Sequence, residues 1–343
     1  MSFRNGCVRF LTVSLMAVVA VIGTGCATDR AVIGQANQMH SGIKPAVIDD
    51  PELTHYLQDI GDRIIEAARE YERQGGGPEA HRKEKSDWMF GKDMKFHLVN
   101  SKTMNAFTTG GNHMYIYNEL FQQAESEDEL AAVMAHEFAH VYGRHVHKGM
   151  NRQLGTMLAA GGAGAAGYAA GGKEKGQTYA ATFAGAALVA GQFIGMGYTR
   201  KDEDEADQLG FIFYTRAGWD PDHFADFFQK MIDKGYDKTP EMLSDHPTLA
   251  SRVEKTKHRT KRLPKNADRW RREPIADQRE FKRLQQRAAE IGRKVPDDQT
   301  LEKAQLLLAA FPSCVTPEDQ PEQQEAQEEL ARTIQQQKAK KRS

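Results

Sequence analysis

The sequence predicts an α+β fold, mainly helical, with one small β-sheet beside a histidine-bearing helix. The segment "PELTHYLQDIGDRIIEAAREYE" (51–72) repeats its apolar residues at helical spacing and stops at "GGGP". The segment "MKFHLVNSKTMNAFTTGGNHMYIYN" (94–118) reads as three short strands, rich in β-branched and aromatic residues and broken by Gly-Gly. Ser126 and Glu129 in "SEDE" then make a capping box that starts a helix running through "AHEFAHVYGRHVHK" (135–148).

At the N-terminus, Arg4 and Arg9 precede the uncharged run "FLTVSLMAVVAVIGTG", short for a membrane span and suited to a signal-peptide core. It ends at "TGCAT", where Gly25 before Cys26 resembles a bacterial lipobox, with Cys26 the lipidated residue. Gly23 departs from the usual Leu, so a plain cleaved signal and an uncleaved anchor stay open. Ala27 after the cysteine favours the periplasmic face of the outer membrane over the inner membrane. The expected layout is a signal peptide over 1–25, a tether over 26–49 and a main domain over 50–262.

Within that domain, the composition from Gly155 to Gly197 turns to Gly and Ala, with uncharged runs at 154–172 and 179–198 around "KEKGQT". Two closely packed helices fit this pattern, with membrane contact as the alternative. "RKDEDEADQLGFIFYTRAG" predicts a helix with an acidic first turn and a stop at Gly218, and "DPDHFADFFQKMIDKG" a further amphipathic one. Residues 263–316 read as a charged helical extension, and the Gln- and Glu-rich 317–343 as a disordered tail.

The net charge of −1 implies no uniformly basic surface and argues against nucleic acid as a partner. Three cysteines, Cys7, Cys26 and Cys314, supply neither a disulfide framework nor metal ligands.

Chemistry concentrates in "AHEFAHVYGRHVHK". Each helical residue advances about 100° and 1.5 Å, so His136 and His140 lie about 40° and 6 Å apart and can share one ion. On a continuous helix His145 falls about 180° from His136, which suggests a structural role, and His147 sits about 10 Å beyond His140, out of reach. In HExxH helices the glutamate, here Glu137, takes a proton from the water activated at the metal. A catalytic zinc needs a third protein ligand. The HExxHxxGxxH pattern would place it at 146, which is Val146, so the acidic run Asp202, Glu203, Asp204, Glu205, Asp207 becomes the source. Helical spacing puts Glu203 and Asp207 on one face with Glu205 turned about 200° away, and leaves Glu203 only modestly ahead of Glu205.

HEFAH followed some sixty residues later by "RKDEDEADQLG" resembles the zinc metallopeptidase family of the CAAX prenyl protease, HtpX and BepA, which carries HExxH and ExxAD. The likeness is greatest in kind to its bacterial periplasmic or lipoprotein members. It implies a zincin-like domain with one Zn2+ on His136, His140 and Glu203, Glu137 as general base and Asp207 orienting a ligating ring. "NAFTTGGNHMYIYNELF" resembles the family's edge strand, which implies substrate binding along Asn105, Ala106 and Phe107. "SDHPTLASR" resembles its His-Pro segment, with His246 and Arg252 as candidate oxyanion donors. His246 admits a second reading, as a zinc ligand that silences the site. The expected function is a zinc endopeptidase of the bacterial envelope acting on unfolded or misassembled envelope proteins. The rival is a chaperone-like protein that holds such clients without cutting them.

Overall fold

The computed structural model describes residues 28–77, 87–159, 179–236, 247–295, 297–313 and 321–340. Cys26, expected to carry lipid, and His246 lie outside them. In chain order the elements are helices α1 (Asp29–Ile43) and α2 (Pro51–Arg73), then strands β1 (Lys95–Val99), β2 (Ala106–Thr108) and β3 (His113–Tyr117). Helices α3 (Asn118–Gln123), α4 (Glu127–Tyr142), α5 (His145–Ala159), α6 (Tyr179–Met196) and α7 (Arg200–Ala217) follow. The chain continues through α8 (Asp226–Asp233), α9 (Leu249–Lys261), α10 (Gln278–Lys294), α11 (Gln299–Ala310) and α12 (Pro321–Lys340). The fold is thus α+β and mainly helical.

Helix α2 starts where Asp50 caps the Leu53 amide and Pro51, with no amide to leave unpaired, takes the first helical position. Its stripe of Leu53, Leu57, Ile60, Ile64 and Ala68 is buried. The sheet runs β1-β3-β2, with β1 parallel and β2 antiparallel to β3. Strand alternation and the register Leu98↔Ile116↔Ala106 give the sheet two faces. One carries Phe96, Leu98, Met114 and Ile116. The other carries His97, His113, Tyr115 and Phe107 and looks toward α1 and α11: His40 Nδ1 lies 3.2 Å from the Tyr115 hydroxyl, and the Tyr117 hydroxyl donates to the Leu308 carbonyl at 2.6 Å.

Helix α4 is buried along nearly its whole length, between the sheet and α7. Gly210 of α7 permits that close crossing, since a Cβ there would sit 2.9 Å from the His136 Cα. At the start of α4, Ser126 accepts from the Glu129 amide as in a capping box, but the Glu129 carboxylate returns to the Glu125 amide instead of Ser126. Helix α7 has the reciprocal box, between Thr199 and Asp202.

Four boundaries differ from the sequence-based expectation. The tether expected over 26–49 contains α1, whose Val32, Ala36 and Met39 are buried against α6, because these apolar residues recur at helical spacing. The charged extension is a packed part of the core: Phe281, Leu284, Leu301, Leu307 and Leu308 are buried, each contributing about 1.5–3 kcal/mol of transfer free energy. Its loop is fastened to α4 by the buried Glu127 carboxylate, which accepts from Tyr56 Oη, Trp219 Nε1 and the amides of Ile275 and Ala276 at 2.7–3.1 Å. The tail expected to be disordered forms α12, in which Leu330 is buried and Gln323 bonds the Phe311 carbonyl. Finally, the histidine-bearing helix breaks at Gly143 and Arg144. Arg144, at φ 55°, is the one non-glycine residue with positive φ among the described residues.

Helix α6 is long and apolar enough, by composition, to cross a membrane. One face of it, with Phe183, Ala186, Ala187, Val189, Ala190 and Phe193, is buried against α1, α11 and α12. The expected partner run at 154–172 lies mostly outside the described residues.

Candidate metal centre

One turn of α4 presents two imidazoles, and the first turn of α7 meets them with a carboxylate. His136 Nε2 and His140 Nε2 are 3.1 Å apart, and Glu203 reaches the first with Oε2 at 3.5 Å and the second with Oε1 at 3.6 Å. All three residues are buried. Donors on a tetrahedral ion with bonds near 2.0–2.1 Å stand about 3.3 Å from one another, so this spacing fits a zinc-sized cation. The electrostatics agree. Burial and Arg252 push the His136 pKa down, but hydrogen bonds to Asp207 and Glu203 outweigh both and raise it to about 9. A field that favours a proton at that ring also favours a metal cation, and two imidazoles with a carboxylate suit a borderline transition ion.

The acidic run of α7 spreads its carboxylates in different directions. Asp202 caps the helix and pairs with Arg152, Asp204 pairs with Lys255 and Arg259 of α9, and Glu205 pairs with Lys148 of α5. Glu203 alone turns to the histidine pair, and Asp207 lies on its far side, 3.0 Å from His136 Nδ1. Burial would raise the Asp207 pKa, but Arg252 and His136 hold it below the usual carboxylate range. Arg252 grips Asp207 with a two-pronged bond, Nε to Oδ2 at 2.9 Å and Nη2 to Oδ1 at 2.7 Å. Its guanidinium lies 3.9 Å from the Phe228 ring centroid. The Arg252 fork is therefore turned onto Asp207, which suits positioning of His136; the oxyanion role considered from sequence does not use this contact. Glu137, the residue after His136 on α4, is fully buried.

Two neighbours escaped the sequence reading. His145 was set apart by continuous-helix arithmetic, yet the break at Arg144 turns its ring back, and His145 Nδ1 comes 2.9 Å from His140 Nδ1. Gly143 makes room: a Cβ there would lie 2.5 Å from His145 Nε2. The other side of His145 meets Glu205 at 3.4 Å, and that bond with Lys148 holds the Glu205 pKa down to about 2. Tyr198, just before α7, stacks on His140 with ring centroids 4.0 Å apart; no periodicity in the sequence signals it. His147 instead bonds Asp29 of α1 at 3.0 Å, as does Arg144.

Strand β2 carries Ala106 and Phe107 at the sheet edge, and Asn105 directly precedes it. All three side chains are buried, since Phe107 stacks on Phe311 at 4.0 Å and Asn105 donates to the carbonyls of Phe311 and Pro312. A narrow apolar groove between β2 and the end of α6 is lined by Phe107, Phe193, Met196, Phe311 and Tyr198, the residue that stacks on His140.

A family model described as peptidase family M48 matches residues 81–260. The chain is similar to the putative beta-barrel assembly-enhancing protease of Vibrio cholerae, 29% identical over 266 residues that cover 74% of this chain and 48% of the relative. It is also 29% identical to the beta-barrel assembly-enhancing protease of Escherichia coli over 63% of this chain and 41% of that one. The metalloprotease LoiP of E. coli is 28% identical over 49% of this chain and 64% of its own. The chain thus spans about half the length, or less, of the first two relatives.

Proposed function

The chain belongs to peptidase family M48, and from that premise we propose that it is a zinc metalloendopeptidase of the bacterial envelope acting on unfolded or misassembled proteins. The observation that carries this reading is the convergence of His136, His140 and Glu203 within 4.8 Å of one another, with buried Glu137 adjoining them.

His136, His140 and Glu203 would hold the ion. When bound, zinc polarises a peptide carbonyl and lowers the pKa of a water molecule. The chain's own residues do the rest. The Glu137 carboxylate takes the proton from the attacking water and delivers it to the leaving amine nitrogen. Asp207 fixes the His136 ring through Nδ1, Arg252 fixes Asp207, and His145 bears on Nδ1 of His140. Groups that orient ligands in this way set metal affinity.

An extended substrate would lie along β2, reading chain shape through backbone hydrogen bonds, with an apolar side chain entering the groove beside His140. Phe311 and Pro312 already lean on that edge, so substrate entry requires these two residues to move. Lipidation of Cys26 would bring the site to a membrane surface. Three residues span at most about 10 Å, and Asp29 is bonded to Arg144 in the turn that follows α4 and to His147 in the first turn of α5. The similarity to beta-barrel assembly-enhancing proteases supports envelope proteins engaged in β-barrel assembly as substrates.

The test is casein digestion by the purified chain with and without chelator, together with its metal content. Chelator-sensitive cleavage that Zn2+ restores is expected. Metal-replete protein that cuts nothing, while a Glu137→Gln variant keeps function in cells, would establish the client-holding alternative.

A further inference from the structure

Another group of nitrogen donors lies on the sheet face that looks toward α1. We propose that His40, His97 and His113 form a second metal site, which takes a borderline transition ion such as Zn2+ through imidazoles alone.

The three rings come from the last turn of α1 and from strands β1 and β3, and one nitrogen of each lies within 4.8 Å of the other two. His97 Nε2 and His113 Nδ1 are 2.9 Å apart. Two bare ring nitrogens would repel at that distance, so a single proton sits between them when no metal is present. Asn37 determines whose proton it is. Its Oδ1 accepts from His113 Nε2 at 3.0 Å, which leaves the Nδ1 lone pair of His113 pointing at His97. A cation replacing the shared proton needs the two nitrogens to part only to about 3.3 Å. His40 stands on the third side, its ring stacked on His113 at 4.4 Å with planes 2° apart and tilted on His97 at 4.5 Å, so binding requires the His40 ring to turn about its side-chain torsions until a nitrogen faces the ion. Its Nδ1 is engaged by the Tyr115 hydroxyl at 3.2 Å, an orienting contact of the kind that ligating histidines use.

Protonation does not compete for these rings at neutral pH. Burial first, and then the neighbouring His40, holds His97 down to about 2 and His113 to about 3. Burial and Lys44 lower His40 as well. Neutral imidazoles are the form that binds zinc, copper or nickel. Lys44 and Lys95 stand close enough to act on the cluster, and their charge opposes a dication. Affinity is therefore lower than at the centre built with Glu203.

The full chain, stripped with chelator and titrated with Zn2+, should bind two ions per chain by elemental analysis, the second more weakly. His97→Ala should reduce this to one. Glu203→Gln combined with His140→Ala should also leave one, and adding His97→Ala should leave none. His40→Gln, at the half-exposed end of α1, covers the case in which a strand substitution disturbs the sheet; it should weaken the second ion at least 10-fold with an unchanged circular dichroism spectrum. The proposal is overturned by a single ion per wild-type chain that disappears with the Glu203 and His140 changes. It is equally overturned by a second ion that both His97→Ala and His40→Gln retain. Neither outcome depends on whether the protein cleaves peptides.

Discussion

The two histidine groups use the same ring chemistry in opposite surroundings. His136 and His140 are fully buried, share one helix turn, and meet Glu203, Asp207 and, through His145, Glu205. His40, His97 and His113 come from three elements, meet Asn37 and Tyr115, and feel Lys44 and Lys95. The first group sits in a field that raises His136, and the second in one that keeps its rings neutral. Donor geometry alone does not make a hydrolytic centre; negative charge to hold the cation and a carboxylate to move the proton are needed too.

Glu137→Gln sharpens this contrast most. Casein cleavage should fall about 10²–10⁴-fold, the range for removing a general base, while zinc content stays at the wild-type value. If metal leaves with activity, Glu137 holds the ion or the fold instead of the proton.

Asp207→Ala should weaken Zn2+ at the first centre about 10–100-fold and leave the second ion in place, as read by competition with a chelating dye. Arg252→Ala should shift affinity in the same direction by a smaller factor. Arg252→Lys should not restore it, because an ammonium cannot reproduce the two-pronged bond to Asp207. An Arg252→Ala enzyme with unchanged zinc affinity but a lower kcat would return Arg252 to the transition state.

Gly210→Ala tests whether the first group depends on helix approach. A Cβ 2.9 Å from the His136 backbone should cost about 1–3 kcal/mol, measured by urea denaturation, and weaken zinc at the first centre only. Equal weakening of both ions would mean that the two groups are coupled through the fold.

The smallest effect should come from acid. The Arg287 hydrogen bond holds the Asp50 pKa below its ordinary value, so the unfolded chain takes up that proton first. The stabilisation is complete above about pH 4 and fades as pH falls through the lower folded value. Thermal unfolding from pH 6 to pH 3 should show a steeper loss in wild type than in Asp50→Asn, whose α10 clip is already broken. Parallel curves would remove Asp50 from the account.

Much of the architecture was legible wherever one element decides its own pattern. The stripe of α2, the three strands, the capped start of α4 and the stop at Gly218 are local features that backbone sterics and periodicity impose. Local rules failed where burial is supplied by a distant partner. Helices α10 and α12 read as charged or Gln-rich because each turns only a narrow apolar edge inward, and that edge has meaning only once Tyr56 and Phe121 stand opposite the first and α6 opposite the second. His145 failed for another reason: one positive φ at Arg144 voids all helical arithmetic beyond it.

The sequence by itself determined that His136 and His140 share a helical face and that Glu137 adjoins them, because these relations depend only on the pitch of one helix. It also made Glu203 and Asp207 neighbours on another. Only the tertiary structure decided that Glu203 rather than Glu205 meets the histidine pair, that Arg252 grips Asp207, and that His40, His97 and His113 meet at all. Those relations depend on how helices cross and strands align, and such distances are fixed by packing between segments, which no single stretch of chain encodes.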